Sequence, residues 1–206
     1  MLHRDTPEVV QSDGMSWLRY LTHPEVVVDP SLAVERWTLS ERGEQRARAM
    51  LTRPWVPEVR RVVSSDETKA VRTAQILADH LGLDVEVLDG LGENDRSATG
   101  FLPPEEFEAM ADRFFAHPEI SAEGWERAVD AQRRITSALG PVLAQAAATP
   151  TVVVGHGGVG TLWCCALTGQ AISRQHDQPG QGHYVTVDAA TSTVEHLWCP
   201  IDADPT

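Results

Sequence analysis

TPTVVVGHGGVGTLWCCAL, residues 149–167, is the stretch that decides the fold. An apolar run from Thr151 to Val154 ends in Gly155 and His156, and the glycines that follow open an apolar helix. α/β proteins use a strand, a loop and a helix in this order to present side chains at the carboxyl ends of parallel strands. The stretch therefore predicts an α/β fold with His156 at the edge of its sheet.

Segments on both sides of this stretch have sequence patterns that are typical of strands. MSWLRYLT (15–22), VRRVVSS (59–65) and DVEVLDGL (84–91) have the apolar or alternating pattern of strands. HYVTVD (183–188) and TVEHLWC (193–199) read as a closing pair. The strand ends that precede histidines are expected to meet at one edge of a parallel sheet.

Two helices are marked by residues at their ends. Ser40 is expected to cap a helix that stops before Pro54. Ser64 with Glu67 has the S-x-x-E spacing of a capping box for the next helix, which Gly82 should end.

The middle of the chain has a different character. GLGENDRSATGFLPP, residues 90–104, is rich in glycine, proline and short polar side chains, which predicts a functional loop. Helical patterns follow over residues 105–116 and 122–147. We interpret residues 101–147 as a helical insertion, or lid, that covers one end of the sheet.

Composition limits the partners and the compartment. The 206 residues include 30 acidic and 17 basic side chains, a formal net charge of -13, which disfavours nucleic acid and anionic membranes as partners. No run of 18 apolar residues predicts a membrane span, and the three cysteines have no disulfide or metal spacing. We expect a flexible tail over residues 1–14, one domain over residues 15–206, buried thiols and a cytoplasmic location.

Two histidines each follow a strand pattern. His23 in YLTHPEV and His156 in GHGG are therefore expected at the same sheet edge. Gly157 lets backbone N–H groups at the start of the next helix approach an anion, and a neutral imidazole can attack phosphorus. A leaving oxygen needs a proton donor, and Glu93 is the best-placed loop carboxylate, although its neighbour Asp95 and also Asp89 remain alternatives.

These motifs occur in an order that resembles the histidine phosphatase superfamily, the phosphoglycerate mutase-like proteins, over residues 17–198. The order is His23, LSERG, SSDETKAVRTA, the loop glutamate and GHGG. The resemblance implies a doubly wound, three-layer α/β/α fold with a mostly parallel central sheet and a helical insertion over the active-site edge. It also implies His23 as the phosphate acceptor, His156 as the second pocket histidine, Glu93 as proton donor, and chemistry without metal or cofactor.

The chain departs from the family pattern at two phosphate-binding positions. The family motif Arg-His-Gly is here Thr22-His23-Pro24, and the second family arginine falls on Lys69. Lysine keeps the charge but not the bidentate geometry, whereas at Thr22 the charge itself is lost.

Another arginine is needed to restore the positive charge. Arg96 and Arg36 lie in loops that are expected to reach the same edge, and our hypothesis is that Arg96 does so. The expected phosphate-binding residues are then Thr22, Lys69, Arg96 and Gly157.

These residues predict a phosphomonoester hydrolase that acts on a small phosphorylated molecule through a phosphohistidine, weakened by the missing arginine. One alternative is a non-catalytic phosphate-binding or regulatory member of the fold. Phosphoglycerate mutase-type phosphoryl transfer ranks lower, because the anion-binding residues are depleted. The composition does not indicate an oligomeric state.

A third class is a metal-dependent hydrolase. His176, Asp177, Gln178 and His183 form a polar cluster in a glycine-rich loop, but they show no recognised ligand spacing. We therefore expect no metal site.

Overall fold

The computed structural model of the chain describes residues 16–203, so the predicted tail over residues 1–14 lies outside the described residues. Within them, six strands form a sheet: β1 (Trp17–Thr22), β2 (Arg61–Ser64), β3 (Val85–Val87), β4 (Thr151–Gly155), β5 (His183–Asp188) and β6 (Thr193–Pro200). Their spatial order is β3-β2-β4-β1-β5-β6. The strands from β3 to β1 pair in parallel, and the predicted closing pair β5 and β6 is antiparallel.

Helices cover both faces of this sheet. They are α1 (Glu41–Ala49), α2 (Thr68–Leu81), α3 (Pro104–Ala116), α4 (Ala128–Ala146) and α5 (Gly157–Thr168). Leu18 and Tyr20 of β1 pack with α3, α4 and α5, whereas Trp17 and Leu21 pack with α2 on the other face. Because both faces are buried, the central strands are almost continuously apolar. The predicted three-layer α/β/α fold is confirmed.

The start and end of α2 follow from local residues, but not as the capping box predicted. Glu67 is the N-cap residue and its side chain makes no capping bond, so the predicted capping box of Ser64 and Glu67 is wrong. The Ser64 hydroxyl instead donates to the Ser65 carbonyl. Gly82 ends α2 in the left-handed conformation (φ 68°), as expected.

The second helix of the predicted insertion begins later than its periodicity indicated. Glu123 and Gly124 have positive φ values of 49° and 89°, which break a helix, and α4 starts at Ala128. Ile135 and Leu139 of α4 are fully buried in the core against the sheet. Within residues 101–147, α4 thus belongs to a helix layer of the fold.

The register of the sheet places the two predicted histidines side by side. Thr22 of β1 pairs with Gly155 of β4, and the backbone N–H of His23 donates to the carbonyl of Gly155 at 3.2 Å. His23 and His156 therefore leave adjacent parallel strands at the same edge. All three cysteines are buried and free, as expected, and no helix of residues 16–203 has the length and apolarity to cross a membrane.

Candidate active site

His23 and His156 form the centre of the site. Their ring centroids lie 5.3 Å apart with the planes inclined by 65°. His23 is 8% exposed and lines a cavity of about 570 Å³, and His156 is fully buried.

The local backbone fixes the tautomer of His23. Its Nδ1 lies 2.9 Å from the carbonyl oxygen of Pro24, and because a carbonyl only accepts, Nδ1 carries the proton. Burial, reinforced by the neighbouring His156, lowers the pKa of His23 to about 3. The imidazole is therefore neutral near pH 7, with its lone pair on Nε2.

His156 is held on one side of its ring. Its Nε2 lies 2.7 Å from the Ser65 hydroxyl and 3.3 Å from Oε1 of Glu67. Its Nδ1 is buried and has no hydrogen-bond partner within residues 16–203. Burial lowers the pKa of His156, against the opposing effect of the Glu67 and Glu93 carboxylates.

Tyr20 fixes the backbone turn that carries His156. Its hydroxyl donates to the His156 carbonyl and accepts from the His156 N–H, each at 2.9 Å. A Cβ at Gly155 would lie 2.3 Å from that hydroxyl, so only glycine fits beside it. The predicted strand-loop-helix unit is thus locked by a side chain from the neighbouring strand.

Glu93 lies at the amino terminus of α5. Its Oε2 accepts from the N–H of Gly158 at 3.1 Å, and its Oε1 accepts from the N–H of Val159 at 3.0 Å. A Cβ at Gly158 would approach Oε1 to 2.8 Å, which explains the glycine. Glu93 also lines the cavity, so its carboxyl group lies between the α5 amides and the space beside His23.

Lys69 lines the same cavity and is 3% exposed. Its ammonium donates to Oε2 of Glu67 and, at 2.8 Å, to the carbonyl of Val34. Although burial alone would raise the pKa of the Glu67 carboxyl, the charges of His156 and Lys69 lower it. The charge of Lys69 is therefore largely balanced inside the site.

Thr22 does not reach the cavity, contrary to expectation. It is 1% exposed, and its hydroxyl donates to Oε1 of Gln178 at 2.6 Å and accepts from the N–H of His183 at 3.0 Å. Gln178 also approaches Gly157, where a Cβ would lie 2.2 Å from its Nε2. Gly157 and Gln178 line the cavity, whereas Thr22 lies outside its lining and its hydroxyl is bound to Gln178 and His183.

Arg96 lines the cavity, as the hypothesis required, whereas Arg36 is exposed and outside its lining. The Arg96 guanidinium lies 5.1 Å from the centre of the Phe107 ring and 5.6 Å from that of Trp125. Within the described chain it forms no ion pair, so the aromatic rings position a cation whose donors remain available.

The polar residues of the predicted alternative metal site, His176, Asp177, Gln178 and His183, do not converge on one point as metal ligands would. Asp177 accepts from the Thr161 hydroxyl, His183 Nδ1 lies 2.8 Å from the Gly180 carbonyl, and Gln178 is held by Thr22. No group of three His, Cys, Asp or Glu side chains within residues 16–203 is placed to hold a metal ion. The alternative acids Asp89 and Asp95 do not line the cavity.

The sequence analysis did not predict that Glu67 lies in the site, because its pattern indicated only a role in the capping box. The available signal was its position: Ser65 and Glu67 directly follow β2, at the edge where His23 and His156 follow β1 and β4. Tyr20 and Gln178 gave no such signal, because their roles depend on contacts with residues more than 130 positions away.

Comparisons with solved structures agree with this architecture. A mycobacterial glucosyl-3-phosphoglycerate phosphatase, solved with inorganic phosphate, is 20% identical over 92% of this chain and 100% of its own, with a TM-score of 0.75. A phosphoserine phosphatase from Entamoeba histolytica, solved with 3-phosphoglyceric acid, is 17% identical over 90% of this chain and 98% of its own (TM-score 0.73). YhfR of Bacillus stearothermophilus is 20% identical over 91% of this chain and 98% of its own, with a TM-score of 0.71.

No curated protein sequence matches the chain. A family model matches residues 35–193, which contain Lys69, Glu93, Arg96 and His156 and begin after the altered Thr22-His23-Pro24 motif. With the sheet order, the paired histidines and a match over most of its length, the chain belongs to the histidine phosphatase superfamily, branch 1.

Proposed function

We propose that this protein is a metal-independent phosphomonoester hydrolase in which His23 forms a phosphohistidine. The observation that carries the proposal is the buried His23 ring, whose Nδ1 lies 2.9 Å from the Pro24 carbonyl, beside His156. This contact places the proton on Nδ1 and the lone pair on Nε2, and burial lowers the pKa so that the ring is neutral near pH 7. A neutral imidazole held in one tautomer is a competent nucleophile toward phosphorus.

The proposed reaction has two steps. His23 Nε2 forms a bond to phosphorus as the bond to the ester oxygen breaks, and a protonated Glu93 gives that oxygen its proton. Water then attacks the phosphorus, the bond from phosphorus to His23 Nε2 breaks, and Glu93 takes up the proton that the water loses, which leaves phosphate, the free imidazole and a protonated Glu93. Arg96 offers its unpaired guanidinium to the phosphoryl oxygens, and His156 Nδ1, on taking up a proton, becomes a further donor.

A second candidate is a phosphate-ligand binder without turnover. Two observations favour it: Lys69 is paired with Glu67, and Thr22 is held by Gln178. Among the described residues that line the cavity, Arg96 is thus the cation without an ion pair, where two arginines occur in the family pattern. Loss of one transition-state donor commonly costs about 10²–10³ in rate.

Phosphate release from a panel of phosphomonoesters, with chelator present, tests the first candidate. Wild type is expected to release phosphate and to form an acid-labile phosphoryl adduct, and His23→Ala should do neither. Arg96→Ala should weaken inhibition by inorganic phosphate about tenfold, whereas the matched control Arg36→Ala should not change it. A silent wild type that binds phosphate, with activity gained in Thr22→Arg, would favour the binder.

A further inference from the structure

The cavity extends well beyond the two histidines. Its volume of about 570 Å³ is that of a site for a drug-sized ligand and exceeds what a phosphoryl group fills. The remaining wall therefore faces the leaving group of any ester bound at His23.

Much of that wall is apolar. Trp37 and Phe101 approach each other across it, with ring centroids 5.8 Å apart, and join two separate loops. Phe101 is 37% exposed and Val28 is 53% exposed, although both are large apolar side chains. The apolar side chains of this wall include Val28, Val34, Trp37, Phe101, Leu102 and Phe107.

Apart from Arg96, the Lys and Arg side chains that the structure describes in the cavity wall form ion pairs with carboxylates. Arg174 lines the cavity, but its guanidinium pairs with Asp112 at 2.6 Å, with Asp177 at 3.4 Å and with Glu108. Lys69 is paired with Glu67 in the same way. A carboxylate on the leaving group would therefore compete with the phosphoryl group for Arg96, and it would face Glu108 and Asp177, which also line the cavity.

Resting on the proposed hydrolase function, we infer that the substrate is a phosphomonoester of an uncharged apolar or aromatic alcohol. Burial of the apolar leaving group against Phe101 and the apolar side chains beside it provides binding energy in proportion to the area removed from water. The balanced ion pairs of Arg174 disfavour esters that carry a second anionic group.

The test compares esters that differ in the leaving group. We expect kcat/KM for 2-naphthyl phosphate and hexyl phosphate to exceed that for phosphoserine and 3-phosphoglycerate by at least about tenfold. The leaving group of glucose 6-phosphate is polar and that of phosphocholine is cationic. Both esters should therefore also react more slowly than 2-naphthyl phosphate and hexyl phosphate. Preference for any of these four overturns the inference.

Two sets of variants test the wall directly. Phe101→Ala should raise KM for 2-naphthyl phosphate about fivefold or more, whereas Ile120→Ala, at an exposed residue outside the cavity lining, should not. Glu108→Gln with Asp112→Asn frees two of the donors of Arg174 and should raise kcat/KM for phosphoserine about tenfold. Unchanged values in both sets contradict the inference.

The outcomes separate this inference from the proposed function. If no ester releases phosphate, the hydrolase proposal fails, and calorimetric binding of the same esters then decides the inference. Tighter binding of 2-naphthyl phosphate than of phosphoserine supports the apolar wall, and the reverse order overturns it. Turnover with a preference for carboxylated esters leaves the hydrolase proposal intact and overturns only the substrate class.

Discussion

At the residue scale, one buried carboxylate connects the parts of the site. Glu67 contacts His156 at 3.3 Å, pairs with Lys69, and accepts the backbone N–H of Glu93 at 2.8 Å. A buried charge is stable only when it is paired, and here the pairing uses the cation that would otherwise attract phosphate. Glu67 therefore sets both the position of His156 and the anion affinity of the cavity.

Glu67→Gln is expected to tighten the binding of inorganic phosphate about tenfold near pH 7. The amide can still accept the Glu93 N–H, but the Lys69 ammonium then lacks its anionic partner and a bound phosphate supplies one. Isothermal titration calorimetry measures the affinity. Asp66→Asn is the matched control, because it removes the same charge from an exposed neighbouring residue. Weaker binding in Glu67→Gln would mean that positioning of His156 outweighs the charge.

At the element scale, α4 holds the loop that carries Glu93. The Arg134 guanidinium donates to the carbonyls of Gly90 and Gly92 at 2.9 Å and to that of Glu93 at 3.1 Å. It also pairs with Glu126 at 2.7 Å. A loop without regular structure thus gains its fixed path from a helix of the outer layer.

Arg134→Gln should lower the free energy of unfolding by about 1–3 kcal/mol, because three loop carbonyls lose a charged donor. It should also lower kcat, since the Glu93 backbone is no longer fixed over α5. Urea denaturation and turnover of the best ester measure the two effects. Arg133→Gln is the control, because the Arg133 side chain is 72% exposed and contacts only Asp130 among the described ion pairs. Equal effects of the two substitutions would contradict this role of Arg134.

At the scale of the whole molecule, folding buries two imidazoles and lowers the pKa of both. Folding lowers the pKa of His23 from 6.5 to about 3, mainly through burial, and it lowers that of His156 for the same main reason. Between about pH 3 and 6.5 the unfolded chain therefore binds protons at His23 that the folded chain does not. Acidification in this window favours unfolding.

We expect the free energy of unfolding to fall between pH 7 and pH 5, with a slope of up to about 1.4 kcal/mol per pH unit for each imidazole. His23→Gln should reduce this slope, since it removes one of the two groups. Urea titrations at a series of pH values measure it. His117→Gln, at an exposed histidine, should leave the slope as in wild type. A slope equal in wild type and His23→Gln would show that His23 is protonated in the folded protein.

Much of the candidate site could be predicted from strand ends, from one loop and from the family resemblance. His23, Lys69, Glu93, Arg96 and Gly157 were all expected at one edge, and the structure brings them to one cavity. For His23 and Gly157 the reason is that parallel strands end at a common edge, so local patterns are enough to place residues close to the strand ends. Lys69 was expected there from its position in the family motif, and Glu93 and Arg96 from their place in one loop. Thr22 was expected there too, but a contact with a residue 156 positions away holds it elsewhere.

The sequence by itself determined the α/β class, the strand-loop-helix unit around His156, the order of the elements and the end of α2 at Gly82. These features depend on hydrophobic periodicity and on backbone preferences that act over a few residues. Only the tertiary structure decided that α4 starts after Gly124, that Glu67 balances Lys69, and that Tyr20 locks the His156 turn. The physical reason is that such choices depend on which buried donors and acceptors meet across the folded chain, and a linear pattern does not encode that pairing.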